Sequence, residues 1–140
     1  MTEQKKHILF EDSAVREVLA HLKRKINYGW SNIRYVNKDR YAIIKGFGSP
    51  NIAILLKSEP FETFGRKFES LGEKGVGDSI NVVALKEFIR SDVIWIYTLF
   101  RDGKLYHITL NSFLENSHKW QQKEGTFVRS ISIHKYERVN

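Results

Sequence analysis

The 140-residue sequence predicts an α/β (α+β) domain, a central mixed β-sheet flanked by helices in the order α-β-β-β-α-β-β-α-β. Three observations carry that expectation. Ser13–Ile26 repeats apolar residues at helical spacing, and the segments between residues 32 and 57 are short and rich in β-branched and aromatic side chains. A hairpin signal stands at Asp102-Gly103. Helical and strand-like segments in such alternation imply helices packed on a sheet.

The first helix rests on Val15, Val18, Leu19, Leu22 and Ile26, which form one stripe. Asp12 or Ser13 can cap its first turn, and Lys23, Arg24 and Lys25 suit the negative end of its dipole. "NIRYV", "RYAIIKGF" and "NIAILLK" then read as strands, with "GFGSPN" turning the last two into a hairpin over Arg40–Lys57. Ile52–Leu56 has no polar alternation, so both its faces are expected to be covered, as in a central strand.

Beyond Pro60, Phe61, Phe64, Phe68 and Leu71 fall at helical spacing and predict a short helix weakened by Gly65. "GEKGVGDSI" follows as a glycine-rich loop leading into a helix over Val82–Arg90, with Asn81 as its cap and Ile80 and Leu85 as a staple. "VIWIYTLFRDGKLYHITL" is the clearest hairpin, with Trp95, Tyr97 and Tyr106 as core residues. A third helix is expected to open at Ser112, where Glu115 completes a capping box, and "FVRSISIHKY" closes the chain as a strand.

A chain of this length forms one domain, and its 41% hydrophobic and 28% charged residues are the proportions of a globular protein. No apolar run approaches the roughly 20 residues that a membrane helix needs, so no membrane partner is expected. "MTEQKKHILFED" has only "ILF" after its lysines, too little for a signal peptide. Without cysteine there is no disulfide, thiolate nucleophile or cysteine-ligated zinc, which fits an intracellular, cytoplasmic protein. The formal net charge of +7 points to phosphate backbones, anionic membranes or acidic proteins as partners. Nucleic acid is the leading expectation.

Asp39 in "KDRYAII" stands just before the second strand, Lys57 ends the third, and Glu17 lies on the first helix. With the element order, these residues resemble the restriction-endonuclease-like (PD-(D/E)xK) nuclease core. That family sets an aspartate at the second core strand and an (Asp/Glu)-x-Lys triplet at the end of the third. The resemblance implies phosphodiester hydrolysis with Mg2+, in which carboxylates hold the metal and the lysine stabilises developing charge or positions water. It implies Asp39, Lys57 and a displaced acid, Glu59 or Glu17, as catalytic residues, with Asp39 and Glu59 on the metal. The departure is Leu55, which holds the position of the family's second carboxylate. The chain is thus expected to be either a metal-dependent nuclease with a displaced acid or a degenerate member that only binds DNA, and Leu55, which binds no metal, favours the second.

Two further segments bear on nucleic acid. In "INYGWSNIRYVNKDRY", Tyr28, Trp30, Tyr35 and Tyr41 interleave with Arg34, Lys38, Arg40 and, just beyond, Lys45. Such a pattern serves a single-stranded binding surface, with Trp30 exposed in a turn, or else the aromatics pack into the sheet. The glycine-rich loop lacks the ending of a P-loop. It reads as a surface loop, as a phosphate cradle, or with Arg66, Lys67 and Lys74 as a contact to a nucleic-acid backbone. Arg24 adds a further cation at the end of the first helix. The histidines show no zinc spacing, and His107 and His134 are expected in strands with structural roles. The rival from another class is a protein-interaction module in which the hairpin at residues 93–110 joins two copies of the chain.

Overall fold

Asn51–Leu56 is the strand on which the architecture turns. Ile52 to Leu56 are all buried, yet they divide between two clusters. Ala53 and Leu55 enter one, while Ile52, Ile54 and Leu56 enter the other. Successive side chains of a strand point to opposite faces, so this is a central strand covered on both sides.

The structure, a computed structural model, describes residues 15–22, 28–37, 41–46, 49–57, 61, 68–74, 80–123 and 126–140. Residues 15–22 are helical (α1). The elements that follow are β1 (Tyr28–Asn37), β2 (Tyr41–Gly46), β3 (Asn51–Leu56), β4 (Phe68–Lys74), α2 (Ile80–Arg90), β5 (Val93–Leu99) and β6 (Leu105–Thr109). They continue with α3 (Leu110–Asn116), β7 (His118–Lys123), β8 (Thr126–Ser132), a 3-10 turn (Ile133–Lys135) and the two-residue β9 (Glu137–Arg138). None of the described helices is long and apolar enough to cross a membrane.

Two sheets result, one of six strands in the order β1-β2-β3-β5-β6-β9 and one of three in the order β4-β8-β7. The larger is mixed: β3 and β5 are parallel, and every other neighbouring pair is antiparallel. A parallel pair needs a crossover, and α2 lies in the connection. α1 covers one face of this sheet through Val15, Val18 and Leu22. The other face is covered by Leu85 and Phe88 of α2, Leu110 and Phe113 of α3, and Ile131 of β8.

The α2–β5 junction shows how local chemistry sets this geometry. The helix ends with Asp92 in the left-handed region (φ 53°), its N–H donating to Ile89 O at 3.2 Å. Phe88 and Val93, on either side of this turn, join the same core cluster, the apolar contact that often accompanies a left-handed helix end. Asn51 then ties the junction to the β2–β3 turn, its Nδ2 donating to Ser91 O at 2.9 Å and its Oδ1 accepting from Gly46 N at 3.2 Å.

Several expectations are corrected. Phe68–Lys74 is not the end of a helix followed by a loop but β4, paired with β8. So short an apolar run suits either state, and a distant antiparallel partner decides it. Asn81 lies inside α2 rather than capping it. Thr109, with extended backbone angles, caps α3, and Ser112 supplies the N–H that Thr109 Oγ1 accepts at 3.1 Å. Trp30 belongs to β1, in a stretch where the register slips between Tyr28 and Ile33, and not to a turn. Tyr41 is buried edge-on against Phe88 at 5.8 Å, which removes it from any stacking surface. The final segment divides into β8, the 3-10 turn and β9, so His134 is exposed in that turn. The helix caps at Asp12 and Ser13 and the cations Lys23, Arg24 and Lys25 lie outside the described residues.

Candidate functional site

Leu56 and Leu99 are partners at the carboxyl ends of the parallel strands β3 and β5. The carboxyl ends of parallel strands are where open α/β sheets bind their ligands. Lys57 continues the pairing by one bond, its N–H donating to Leu99 O at 2.9 Å, and its side chain is half-buried.

β5 passes through buried Phe100 into the turn Arg101–Lys104. That turn closes by Phe100 N–H to Lys104 O at 3.0 Å and Gly103 N–H to Phe100 O at 2.9 Å. Gly103 takes φ 86°, which an L side chain rarely adopts. Asn140 clamps the same turn, donating to Gly103 O at 2.8 Å and accepting from Leu105 N at 2.9 Å.

Asp102 organises the charges at this end. It accepts from Phe61 N at 3.1 Å and stands 3.8 Å from Lys104 Nζ. Lys104 also lies over the Phe61 ring, 5.6 Å from its centroid, and Phe61 stacks on Tyr106 at 4.4 Å. Glu17 arrives from α1, its Oε1 3.9 Å from the point a Cβ on Gly103 would occupy. Glu17 and Lys57 are therefore brought to the same end of the sheet, Glu17 from the helix that covers the face opposite α2.

The other expected site residues divide sharply. Asp39 and Glu59, the implied metal ligands, lie outside the described residues, as do Arg24, Lys38, Arg40, Arg66 and Lys67. Trp30, Arg34 and Tyr35 are on β1, an edge strand of the larger sheet, and Lys74 ends β4 in the smaller one. Lys45 is exposed near the carboxyl end of β2, which runs antiparallel to β3, so Lys45 and Lys57 occupy opposite ends of the sheet. Among the described residues, Arg101, Lys104 and Arg138 share that end with Lys57, Arg138 through its pairing with Tyr106 opposite Thr98. The signal for Arg101 and Lys104 was the turn "RDGK", legible as a turn and not as a charge cluster.

The described residues do not by themselves form a magnesium centre, and the implied ligands Asp39 and Glu59 are not among them. Leu55 is 4% exposed and packs in one cluster with Leu85 and Phe88, with no oxygen to offer. Among the described residues no three histidine or acidic side chains converge as a metal site would need. His107 lies in a strand, β6, as expected, stacked on Trp95 at 4.5 Å with Nε2 3.5 Å from Glu137. Tyr97 is buried and Trp95 and Tyr106 pack against the core, as the hairpin pattern predicts. Comparison with protein-family models, with curated proteins and with solved structures finds no match for this chain.

Proposed function

We propose that the chain is a nucleic-acid-binding domain on a restriction-endonuclease-like core, one that holds DNA without cutting it. The observation that carries this reading is the parallel β3–β5 pair preceded by the β1–β2–β3 meander, with Lys57, Arg101 and Lys104 at its carboxyl end. A helix, three strands, a helix and a further strand follow in the sequence expected of the resembled family, with β4 set between β3 and α2, and the net charge of +7 supplies attraction to phosphate. Tyr41 and Leu55 are cross-strand partners, and Asp39 precedes the one by two residues as Lys57 follows the other by two. Leu55 argues against hydrolysis because the carboxylate that would complete a metal shell is replaced by a core side chain.

Binding of this kind works through charge. Arg101, beside Lys57, offers a cation to a phosphate backbone, while Asp102 holds Lys104 beside Phe61. The test is fluorescence anisotropy with labelled duplex DNA over a range of salt, with and without magnesium. Expected is an affinity that falls steeply with salt and intact DNA in both conditions. Affinity that ignores salt overturns the binding reading, and magnesium-dependent cleavage overturns the loss of catalysis.

One observation favours the rival reading of an interaction module. Ile89 and Ile94, on either side of the Ser91–Asp92 turn, are each 48% exposed, the large apolar side chains most open to water among the described residues. Ile94 is the extra residue where the β3–β5 register slips between Asn51 and Ile52. Analytical ultracentrifugation separates the readings: a dimer that dissociates on dilution and is lost in Ile94→Lys supports the module.

A further inference from the structure

At the β6–β9 edge of the larger sheet a pocket of about 170 Å³ opens. One wall is aromatic, formed by Trp95 and His107, whose rings stack with 19° between their planes. Thr109, Ser112, Asn116, Lys135 and Glu137 supply its polar lining, with the Glu137 carboxylate turned to His107 Nε2 at 3.5 Å.

These groups are uncommitted in a defined way. Asn116 Nδ2 donates to Ser112 O at 2.9 Å. A carbonyl oxygen only accepts, so that bond fixes the amide's orientation and leaves Oδ1 as a free acceptor. Thr109 Oγ1 accepts from Ser112 N at 3.1 Å, which leaves its hydroxyl hydrogen to be donated. Lys135 has no carboxylate within ion-pair distance among the described residues. His107 Nδ1 is buried without a hydrogen-bond partner among them.

We propose that this pocket receives one nucleotide unit. Its base lies against the Trp95–His107 wall, its exocyclic amino group donates to Asn116 Oδ1, and its phosphate meets Lys135. Flat rings stack on aromatic side chains whatever their sequence, and since the inner faces of Trp95 and His107 cover each other the base takes an outer face of the pair. Pockets for drug-sized ligands and cofactors run to about 300–1,000 Å³, so this smaller one takes a base alone and leaves the ribose and phosphate at its mouth, where Lys135 is exposed. The unit is either a free nucleotide or one splayed from a single strand. The second source rests on the nucleic-acid reading above; the first does not.

Calorimetric titration with cytidine and uridine 5′-monophosphates tests the site, because the two bases differ at the amino position. Cytidine monophosphate is expected to bind about tenfold more tightly. Asn116→Leu is expected to erase that preference, and Lys135→Glu to weaken both ligands about tenfold. Asn116 and Lys135 are exposed, and thermal melting verifies that each variant folds. Equal affinity for the two nucleotides, or binding unmoved by both substitutions, overturns the proposal. A labelled single-stranded oligodeoxycytidine forms the second arm. If the mononucleotides bind and the oligonucleotide does not, the pocket stands and the nucleic-acid reading loses its support. An oligonucleotide that binds equally to wild type and both variants overturns the splayed strand as the source and leaves that reading intact. No binding of either probe overturns the pocket.

Discussion

Tyr41 and Leu55 stand directly opposite one another in the β2–β3 ladder, and both side chains enter the hydrophobic cluster beneath α2. The position that a metal-dependent nuclease would give to a carboxylate is therefore inside the core of this protein. Leu55→Glu restores the residue type of the resembled motif but places an ionisable group among Leu85 and Phe88. It is expected to destabilise the fold by about 3 kcal/mol or more and to produce no nuclease activity. Chemical denaturation and a plasmid-nicking assay with magnesium check the two halves. A stable variant that cuts DNA would show that the site had been one residue from function.

The carboxyl end of β3 and β5 makes a quantitative electrostatic prediction. Arg101 is exposed and makes no ion pair among the described residues, so Arg101→Ala should leave the fold intact. If Arg101 neutralises a phosphate, the slope of log affinity against log salt should become shallower by about 1. Lys45→Ala, at the other end of the sheet, should leave the slope unchanged. Anisotropy titrations at several salt concentrations measure both, and equal effects would remove the carboxyl end as the contact surface.

Gly46 tests the β2–β3 turn. A Cβ there would collide with the backbone oxygen of Ser49 and stand 2.8 Å from that of Pro50. Backbone cannot swing aside as a flexible side chain does, so Gly46→Ala is expected to cost about 1–3 kcal/mol. The same N–H donates to Asn51 Oδ1, so the loss should spread to the α2–β5 junction. Hydrogen exchange at Ser91–Val93 would report that spread, and an unchanged melting temperature would count against it.

Tyr97 predicts an alkaline limb in the stability profile. Burial raises its phenol above the usual value of 10.0, because the interior disfavours the charged phenolate. The folded state thus prefers the protonated form. Its contribution is complete below pH 10 and is lost as pH rises through the higher folded value. Melting temperatures should fall more steeply above pH 10 for wild type than for Tyr97→Phe. Parallel curves would assign the alkaline loss to other groups.

Much of the larger sheet is legible in the sequence itself. The five apolar residues Ile52–Leu56 required cover on both faces and received it, and Asp102-Gly103 required a hairpin and made one. The helical stripe at Val15, Val18 and Leu22 likewise lies against the sheet. Each of these signals is local: periodicity, or a backbone angle that few residues tolerate.

What tertiary structure alone decided was non-local. Phe68 pairs with Ser132, far along the chain, and no periodicity within Phe68–Lys74 announces that partner. The three-stranded sheet, β7 included, was therefore hidden. The candidate site divides in the same way. Lys57 at a strand end could be read from the sequence, but its nearness to Arg101 and Lys104 depends on the parallel pairing of β3 with β5 across an intervening helix. The pocket at Trp95 and Lys135 needs β6, α3 and the turn before β9 to meet. Sequence alone determined which segments could hide their side chains from water. Which surfaces those segments then brought together was settled by strand pairing, whose hydrogen bonds are identical for every sequence and whose register comes from the packing of whole faces.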